Sequence, residues 1–449
     1  MIEQVFSHNI VLQDLSLEPS STETINSNRK IVPTDLDYTA GYLYPMLQIR
    51  TYSIHKDSIL NFEIDCYNKI PKVNALIRLD KTHPLVINVL RDRELLKVFL
   101  RTANNELNHI RVDFYITNVN RIDKSLYTDL IIEGELNIPM LYASINKAYS
   151  GTSYNVIKAI SNELGLGFSS NISNTDDEMI WPAVNQSYYD FIDYVCAHSW
   201  IDDTSFMDWY IDIYYNIVFY DVELSLKYEK FQTKAYTVYS GQAKHVEEQQ
   251  LFIEWENVIT DNSTMQSTDH GYSNINIINN SKLSKKGYVL NNTFLDYNDL
   301  SVVTFDTESI TNTNEGIPLK SRIDDDNFRN EKQVLYLGIQ NDNMHPNYLY
   351  SPIHNKFNNT ELKKLNLEVS TNELNLNYIV GDNIYLHATD IRLEQDANKS
   401  LNEKLDGGII DQTQFTNNYK IQGIKYIYKK GIKYTKYLLT RREWPITEI

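Results

Sequence analysis

Apolar and polar residues alternate one by one in several stretches of the chain, as strands with one dry and one wet face require. Leu60-Asn61-Phe62-Glu63-Ile64-Asp65-Cys66 is one such run, and Ile110-Arg111-Val112-Asp113-Phe114-Tyr115-Ile116-Thr117 is a second. Ile132-Glu133-Gly134-Glu135-Leu136-Asn137-Ile138 is a third. With turn residues between them, these runs predict a β-rich domain over 41–142, a sandwich or barrel rather than an α/β fold. The period then changes. Val156, Ile160 and Leu164 lie four apart on one helical face, and Gly165 and Gly167 are placed to end that helix. Ser187-Tyr188-Tyr189-Asp190 has the form of a capping box with Asp for the usual Glu or Gln. Behind it, Phe191 with Val195 and Ile192 with Cys196 make an i, i+4 apolar face. Two helices are expected within 151–206, with Trp181-Pro182 in their connection. Beyond them the period returns to two, and Trp209, Ile211, Ile213, Tyr215, Ile217 and Phe219 would line one face of a single long strand.

Residues 258–330, rich in Asn, Ser, Thr and Asp, read as short strands and long loops, with Thr311–Asn314 and Asp324–Asn327 as exposed tips. Strand pattern resumes after Leu362 in Leu365–Val369, Tyr378–His387, Tyr419–Tyr428 and Lys433–Leu439. The charged segment 388–418, with Gly407-Gly408, reads as an excursion between two of these strands. The expected order is an N-terminal arm (1–40), a first β domain (41–150), a helical insert and long strand (151–230), an irregular β/loop region (231–334) and a second β domain (335–449) with the insertion 388–418. The fold class is mainly β with a helical insert, an α+β chain.

Composition narrows the function. At 449 residues and 42% hydrophobic, the chain has material for several cores. Its 59 acidic and 42 basic residues leave a formal charge of −17, which excludes a protein that grips nucleic acid through phosphates. Cys66 and Cys196 are the only cysteines. They form no disulfide framework or zinc site and are expected as reduced, buried thiols, with one bridge between them as the alternative. No run approaches the ~18–20 apolar residues of a membrane-spanning helix. Met1-Ile2-Glu3-Gln4 has neither the basic nor the apolar region of a signal peptide, so a soluble product made in a cytoplasm is expected.

Candidate chemistry is sparse. Asp202, Asp203, Asp208 and Asp212 form the densest acidic group; paired carboxylates can serve a glycosidase or hold a divalent metal. The plainer reading makes them loop and cap aspartates, with Asp212 on the polar face of a strand. Asp324-Asp325-Asp326-Asn327 lacks the glycine and glutamate of a calcium loop, and His245-Val246-Glu247-Glu248 is not the metalloprotease pattern. His345, His354 and His387 are not spaced as ligands and read as surface or hydrogen-bonding residues. The Asn-x-Ser/Thr triplets follow from 48 asparagines. Lys425, Lys429, Lys430, Lys433, Lys436, Arg441 and Arg442 cluster near the end, as a solvated strand face or as a contact for an acidic partner. No catalytic, cofactor-binding or metal-binding residue is assigned, and no cofactor is expected.

Several segments are recognisable by their order: Glu133–Tyr142, Gly151–Ile157, Glu163–Phe168, Met179-Ile180-Trp181, Phe191-Ile192, and Ser205-Phe206 leading into Trp209-x-Ile211-Asp212-x-Tyr214-Tyr215-Asn216. In the second half come Leu337-Gly338, then Asn343-Met344-His345-x-Asn347-Tyr348, and a closing Leu438-Leu439-Thr440-Arg441-Arg442-Glu443-Trp444-Pro445. Together they resemble the baseplate central hub proteins of contractile-tailed bacteriophages, relatives of the hub half of type VI secretion spikes. The resemblance spans roughly residues 40–445, with gaps at 225–335 and 388–418. It implies two tail-tube-type β-barrel domains, at 41–150 and 335–449. It also implies a homotrimer whose six barrels join a six-fold tail tube, or its initiator proteins, to a three-fold central spike with an OB-type domain. Baseplate wedge proteins would reach the helical insert. DNA would pass through the channel without specific binding, and no membrane insertion is implied. Such a protein is not an enzyme, belongs to the virion tail baseplate and assembles in the host bacterial cytoplasm. Trp181, Asp212, Asn343, His345, Asn347, Arg441, Arg442 and Trp444 are the interface candidates it brings. Three copies would carry about −51, and an acidic channel wall would repel passing DNA. The rival readings are a peripheral receptor-binding β protein and a tail-associated glycan hydrolase using Asp203 and Asp208.

Overall fold

The computed structural model describes residues 44–88, 90–91, 94–101, 110–227, 235–239, 243–246, 291–295, 302–306, 334–336, 343–348, 350–363, 365–371, 379–386, 388–391, 409–411, 417–429 and 432–441. The expected arm 1–40 and the tips 311–314 and 324–327 lie outside these residues.

The alternating runs within 41–142 form strands. In chain order these are β1 (Tyr44–Ile49), β2 (Tyr52–Ile54), β3 (Ile59–Asp65), β4 (Lys72–Asp80), β5 (Leu95–Arg101), β6 (Ile110–Asp123) and β7 (Tyr127–Leu136), with one helical turn α1 (Pro84–Ile87) before β5. On β4, Val73, Ala75, Ile77 and Leu79 point into the core while Lys72 and Asn74 face out, the period of two made visible. All pairings are antiparallel, in the order β3-β4-β7-β6-β5-β1-β2. Gly134 on β7 faces a register shift between Ile116 and Asn118 of β6. A Cβ there would lie 2.7 Å from the Tyr115 carbonyl oxygen and 3.0 Å from Val73 Cγ1, so the bulge fits only a glycine.

The insert contains β8 (Ser144–Gly151), α2 (Ser153–Glu163), β9 (Gly167–Ser169), β10 (Met179–Ser187), α3 (Tyr188–His198), β11 (Met207–Ile211), β12 (Asn216–Asp221) and α4 (Val222–Lys227). Both expected helices are present. Thr152 caps α2, its hydroxyl accepting from Asn155 N at 3.4 Å, and Ser187 caps α3, accepting from Asp190 N at 3.0 Å. One expectation is refined and one corrected. Trp181 and Pro182 lie between the helices as expected, but that connection is structured, since both belong to β10, paired with β8 in a two-stranded ribbon. The single long strand is a hairpin of β11 and β12, from Met207↔Asp221 to Ile211↔Ile217. Asp212 folds the chain back by accepting from Tyr214 N at 2.9 Å and Asn216 N at 2.8 Å, with Tyr215 at φ 62°. Alternation survives a turn of the right parity, so the pattern alone could not reveal it.

Downstream lie β13 (Ala235–Tyr239), β14 (Ala243–Val246), β15 (Asn291–Leu295), β16 (Val302–Asp306), β17 (Val334–Tyr336), α5 (Ser351–Leu362), β18 (Leu365–Thr371), β19 (Asn383–Leu386), β20 (Ala388–Ile391), β21 (Ile409–Asp411), β22 (Asn417–Lys429) and β23 (Ile432–Arg441). The segment 388–418 is not a bare excursion: it contributes β20 and β21, which pair with each other and, through β20, with β13. Helix α5 interrupts what read as a β domain. The two groups of strands also meet, because β22 pairs with β3 from Lys425↔Asp65 to Lys429↔Asn61. One eleven-stranded sheet thus runs through both ends of the chain. Lys425 holds that junction, its Nζ 2.8 Å from both Glu63 and Asp65. Lys436 reaches Glu368 of β18 at 2.7 Å. At least these two of the terminal cations are paired within the sheet rather than offered to a partner.

Gly134→Ala is expected to lower stability by about 1–3 kcal/mol, since the added methyl meets backbone rather than a movable side chain. Urea denaturation measures this, and an unchanged midpoint would contradict the close approach.

Candidate assembly site at the end of helix α3

The last turn of an α-helix leaves carbonyls without intrahelical partners, and burying them unpaired is costly. Helix α3 ends at His198 with its last residues buried or half-buried. Ser199 supplies one cap, its hydroxyl donating to the Cys196 carbonyl at 2.6 Å. The others come from far along the chain. His345 Nε2 and the Ser351 hydroxyl both reach the His198 carbonyl at 2.9 Å. Asn355 Nδ2 donates to the carbonyls of Ala197 at 3.0 Å and Ser199 at 2.9 Å, while its Oδ1 accepts from Met207 N at 3.1 Å. One turn on, Asn359 Nδ2 donates to the Met207 carbonyl at 3.0 Å. His354 Nε2 lies 2.9 Å from the Ser205 carbonyl. The stripe of α5 formed by Ser351, His354, Asn355 and Asn359 therefore reads the backbone of 197–207 by its amides, hydroxyl and imidazole.

Aromatic rings fill the space beside this cap. Trp181, fully buried on β10, donates from Nε1 to the Gly151 carbonyl at 2.8 Å, and its ring lies 6.2 Å from His345 and 6.3 Å from Tyr194. The His198 ring stacks on Tyr348 at 4.3 Å, and the Tyr194 and Tyr348 hydroxyls meet at 2.7 Å. Because His345 and His354 face carbonyls, each carries its proton on Nε2 and leaves Nδ1 buried without a hydrogen-bond partner among the described residues. Burial pushes His198 down to about 4 and lowers His345 and His354 as well.

Of the residues singled out in the sequence, Trp181 and His345 meet here. Asn347 lies in the turn before α5, its carbonyl accepting from Tyr350 N at 3.1 Å and Ser351 N at 2.8 Å, and Asn343 lies exposed in the same segment. Asp212 is elsewhere, inside the β11–β12 turn, where burial raises it to about 6 against its hydrogen bonds. Arg441 is buried at the end of β23 and donates from Nη1 to the Asn418 carbonyl at 3.0 Å. Arg442 and Trp444 lie outside the described residues. The acidic group does not act as a set. Asp202 caps its own loop through Thr204 N and Ser205 N, both at 2.8 Å, Asp208 lies 3.8 Å from Lys363, and Asp203 is exposed. Among the described residues no cluster of three His, Cys, Asp or Glu could hold a metal ion, and no helix is long and apolar enough to cross a membrane. Cys66 and Cys196 are unbridged, their thiols pushed up by burial.

Sequence reasoning missed α5 and with it Ser351, Asn355 and Asn359. The signal was present in Ser351, His354, Asn355, Asn358, Asn359 and Leu362, a helical spacing. It is a polar stripe, and a search for apolar periodicity passes over it.

Asn355→Ala is expected to cost about 2–4 kcal/mol, since it strands the carbonyls of Ala197 and Ser199 and the amide of Met207. Urea denaturation reads this directly, and a loss below ~0.5 kcal/mol would show the cap is not structural. The histidines give a second expectation. Their folded affinity for protons is below the ~6.5 of an unfolded histidine, so the stability they leave intact above that pH is lost as the pH falls toward 4. Asp212 and Asp221, both raised to about 6 by burial, work oppositely, because protonating them in the folded state adds stability over the same range. Histidine NMR between pH 7.5 and 5 separates the two effects. His198 should stay neutral and His345 and His354 should titrate below a free histidine, and midpoints near 6.5 for all three would contradict their burial.

No protein-family model matches the chain, and no curated protein matches it. Solved structures do. A tail protein from Neisseria meningitidis MC58 is similar over 89% of this chain and 96% of its own, at 8% identity and a TM-score of 0.44. The prophage MuSo2 tail protein from Shewanella oneidensis covers 89% and 98%, at 5% identity and a TM-score of 0.47. An E. coli component of the type VI secretion system covers 90% and 77%, at 10% identity and a TM-score of 0.38. These three solved structures are two tail proteins and a type VI secretion component.

Proposed function

We propose that this chain is a structural component of a contractile tail, a baseplate hub that joins a six-fold tube to a three-fold spike. One observation carries the reading. Two neighbouring segments that resemble that family, Met179-Ile180-Trp181 and Phe191-Ile192, pack around the end of α3 with a third from the second half of the chain, Asn343–Tyr348. Unrelated short likenesses would have no reason to converge.

On this reading the strand groups at 41–150 and 335–449 are two tail-tube-type β-barrel domains. Three copies make a ring of six such units, whose two faces meet partners of different symmetry. The role is mechanical rather than catalytic. The partners are the tail tube or its initiator, a spike with an OB-type domain, and wedge proteins on the outside. The charge of −17 per chain belongs to a channel wall along which DNA slides without being held.

Electron microscopy of the purified full-length chain tests this. The expected image is a three-fold ring with an axial channel that does not retain duplex DNA at low salt. Monomers only, at tens of micromolar, or a ring that binds DNA through its channel, would count against it.

A further inference from the structure

His345 and His354 are the fully buried histidines among the described residues, and both sit where the second half of the chain meets the end of α3. Each directs the proton on Nε2 at a carbonyl, of His198 and of Ser205, and each Nδ1 is buried with no hydrogen-bond partner among the described residues. An imidazolium has an N–H on both nitrogens. A second proton would therefore place a charged donor where no acceptor is in reach, which a packed interior tolerates poorly.

The groups facing these rings do not relieve that cost. Asp176 and Asp177 attract a charge on His345, and Asp202 and Asp203 attract one on His354, yet burial prevails at both and lowers their affinity for protons. Asp177 is already held by Ser153 N at 2.8 Å, Thr175 Oγ1 at 2.7 Å and Trp200 N at 2.9 Å, and Asp202 by Thr204 N and Ser205 N. His198, between the rings of Tyr194 and Tyr348, would repel a charged His345. The other neighbours are the rings of Trp181 and Tyr348 at His345, and of Trp200 and Tyr350 at His354.

Acid thus acts on one end of α5. Its other end is fixed by Leu362, fully buried, whose carbonyl accepts from the Thr440 hydroxyl at 2.6 Å. The residues that pair across the β3–β22 ladder, 61–65 and 425–429, include no histidine. We infer that the cap of α3 is an acid-opened latch: protonation of His345 and His354 frees the turn 343–348 and the first turns of α5 from residues 197–207, while Leu362 and the ladder hold. Opening strips the donors from the α3 carbonyls and leaves α5 hinged at Leu362.

Hydrogen exchange of the full chain at pH 7.5 and pH 5, expressed as protection factors so that intrinsic rates cancel, tests the latch. Protection of 351–359 should fall at least about tenfold more than that of 61–65 and 425–429. The reason is linkage: a histidine that returns to ~6.5 on opening favours the open form by as much as about thirtyfold over this range. Combining His345→Gln with His354→Gln keeps an amide donor for each carbonyl and removes the titration, so at least about tenfold of the fall should disappear. If that double variant does not fold, each single variant should remove about half of the fall on a logarithmic scale. Undiminished protection of 351–359 at pH 5 overturns the latch. An equal fall in all three segments also overturns it, since it marks global acid unfolding, and so does a fall that persists unchanged in the glutamine variants.

Discussion

The carbonyls at the end of α3 are buried, and their donors come from a segment that begins 147 residues further on. Much of the architecture follows from this one requirement. A helix end that cannot be hydrated must be capped by protein, and local sequence provides only Ser199. His345, Ser351 and Asn355 have to arrive before the insert is satisfied. The segment that carries them must then leave α5 in position to enter β18, which it does at once, since Leu365 follows Leu362 by three residues. Leu362 itself accepts from the Thr440 hydroxyl at 2.6 Å, so the cap is tied to the final strand.

The sheet makes the same connection a second time. Through β3 and β22 the two ends of the chain share a ladder, and Lys425 places a cation between two carboxylates at that seam. Such a pair contributes modestly where it is partly exposed. Its larger effect is on register: a slip of one residue would move Lys425 away from its partners and turn Tyr426 and Tyr428 outward. Gly423, against which Tyr67 packs, allows the close approach nearby, since a Cβ would lie 2.5 Å from the Tyr67 ring. Insert, first strand group and second strand group are therefore joined at two places, the ladder and the cap.

The sequence disclosed what depends on apolar periodicity. The strands of 59–65, 110–117 and 419–428, the two helices of the insert and their caps were legible because each buries one face and wets the other. It did not disclose what depends on pairing. That strands from both ends would share a sheet is set by partners more than 350 residues apart, as the |i−j| of 362 between Lys425 and Glu63 shows. The β11–β12 turn was hidden because Ile213 and Tyr215 keep the alternation through it. Helix α5 was hidden because the stripe it turns toward residues 197–207 is made of a hydroxyl, amides and an imidazole. The candidate site was half legible: Trp181, His345 and Asn347 stood in recognisable segments, whereas Asn355 and His198 acquire their roles only from each other's neighbourhood.

The β3–β22 seam and the cap of α3 together make the two halves of the chain one cooperative body. Native-state hydrogen exchange tests it most directly. The account predicts that amides of 61–65, 194–198 and 425–429 open together, with a common free energy close to that of global unfolding. Exchange of the 425–429 amides through a separate opening, several kcal/mol cheaper than that of 61–65, would contradict it.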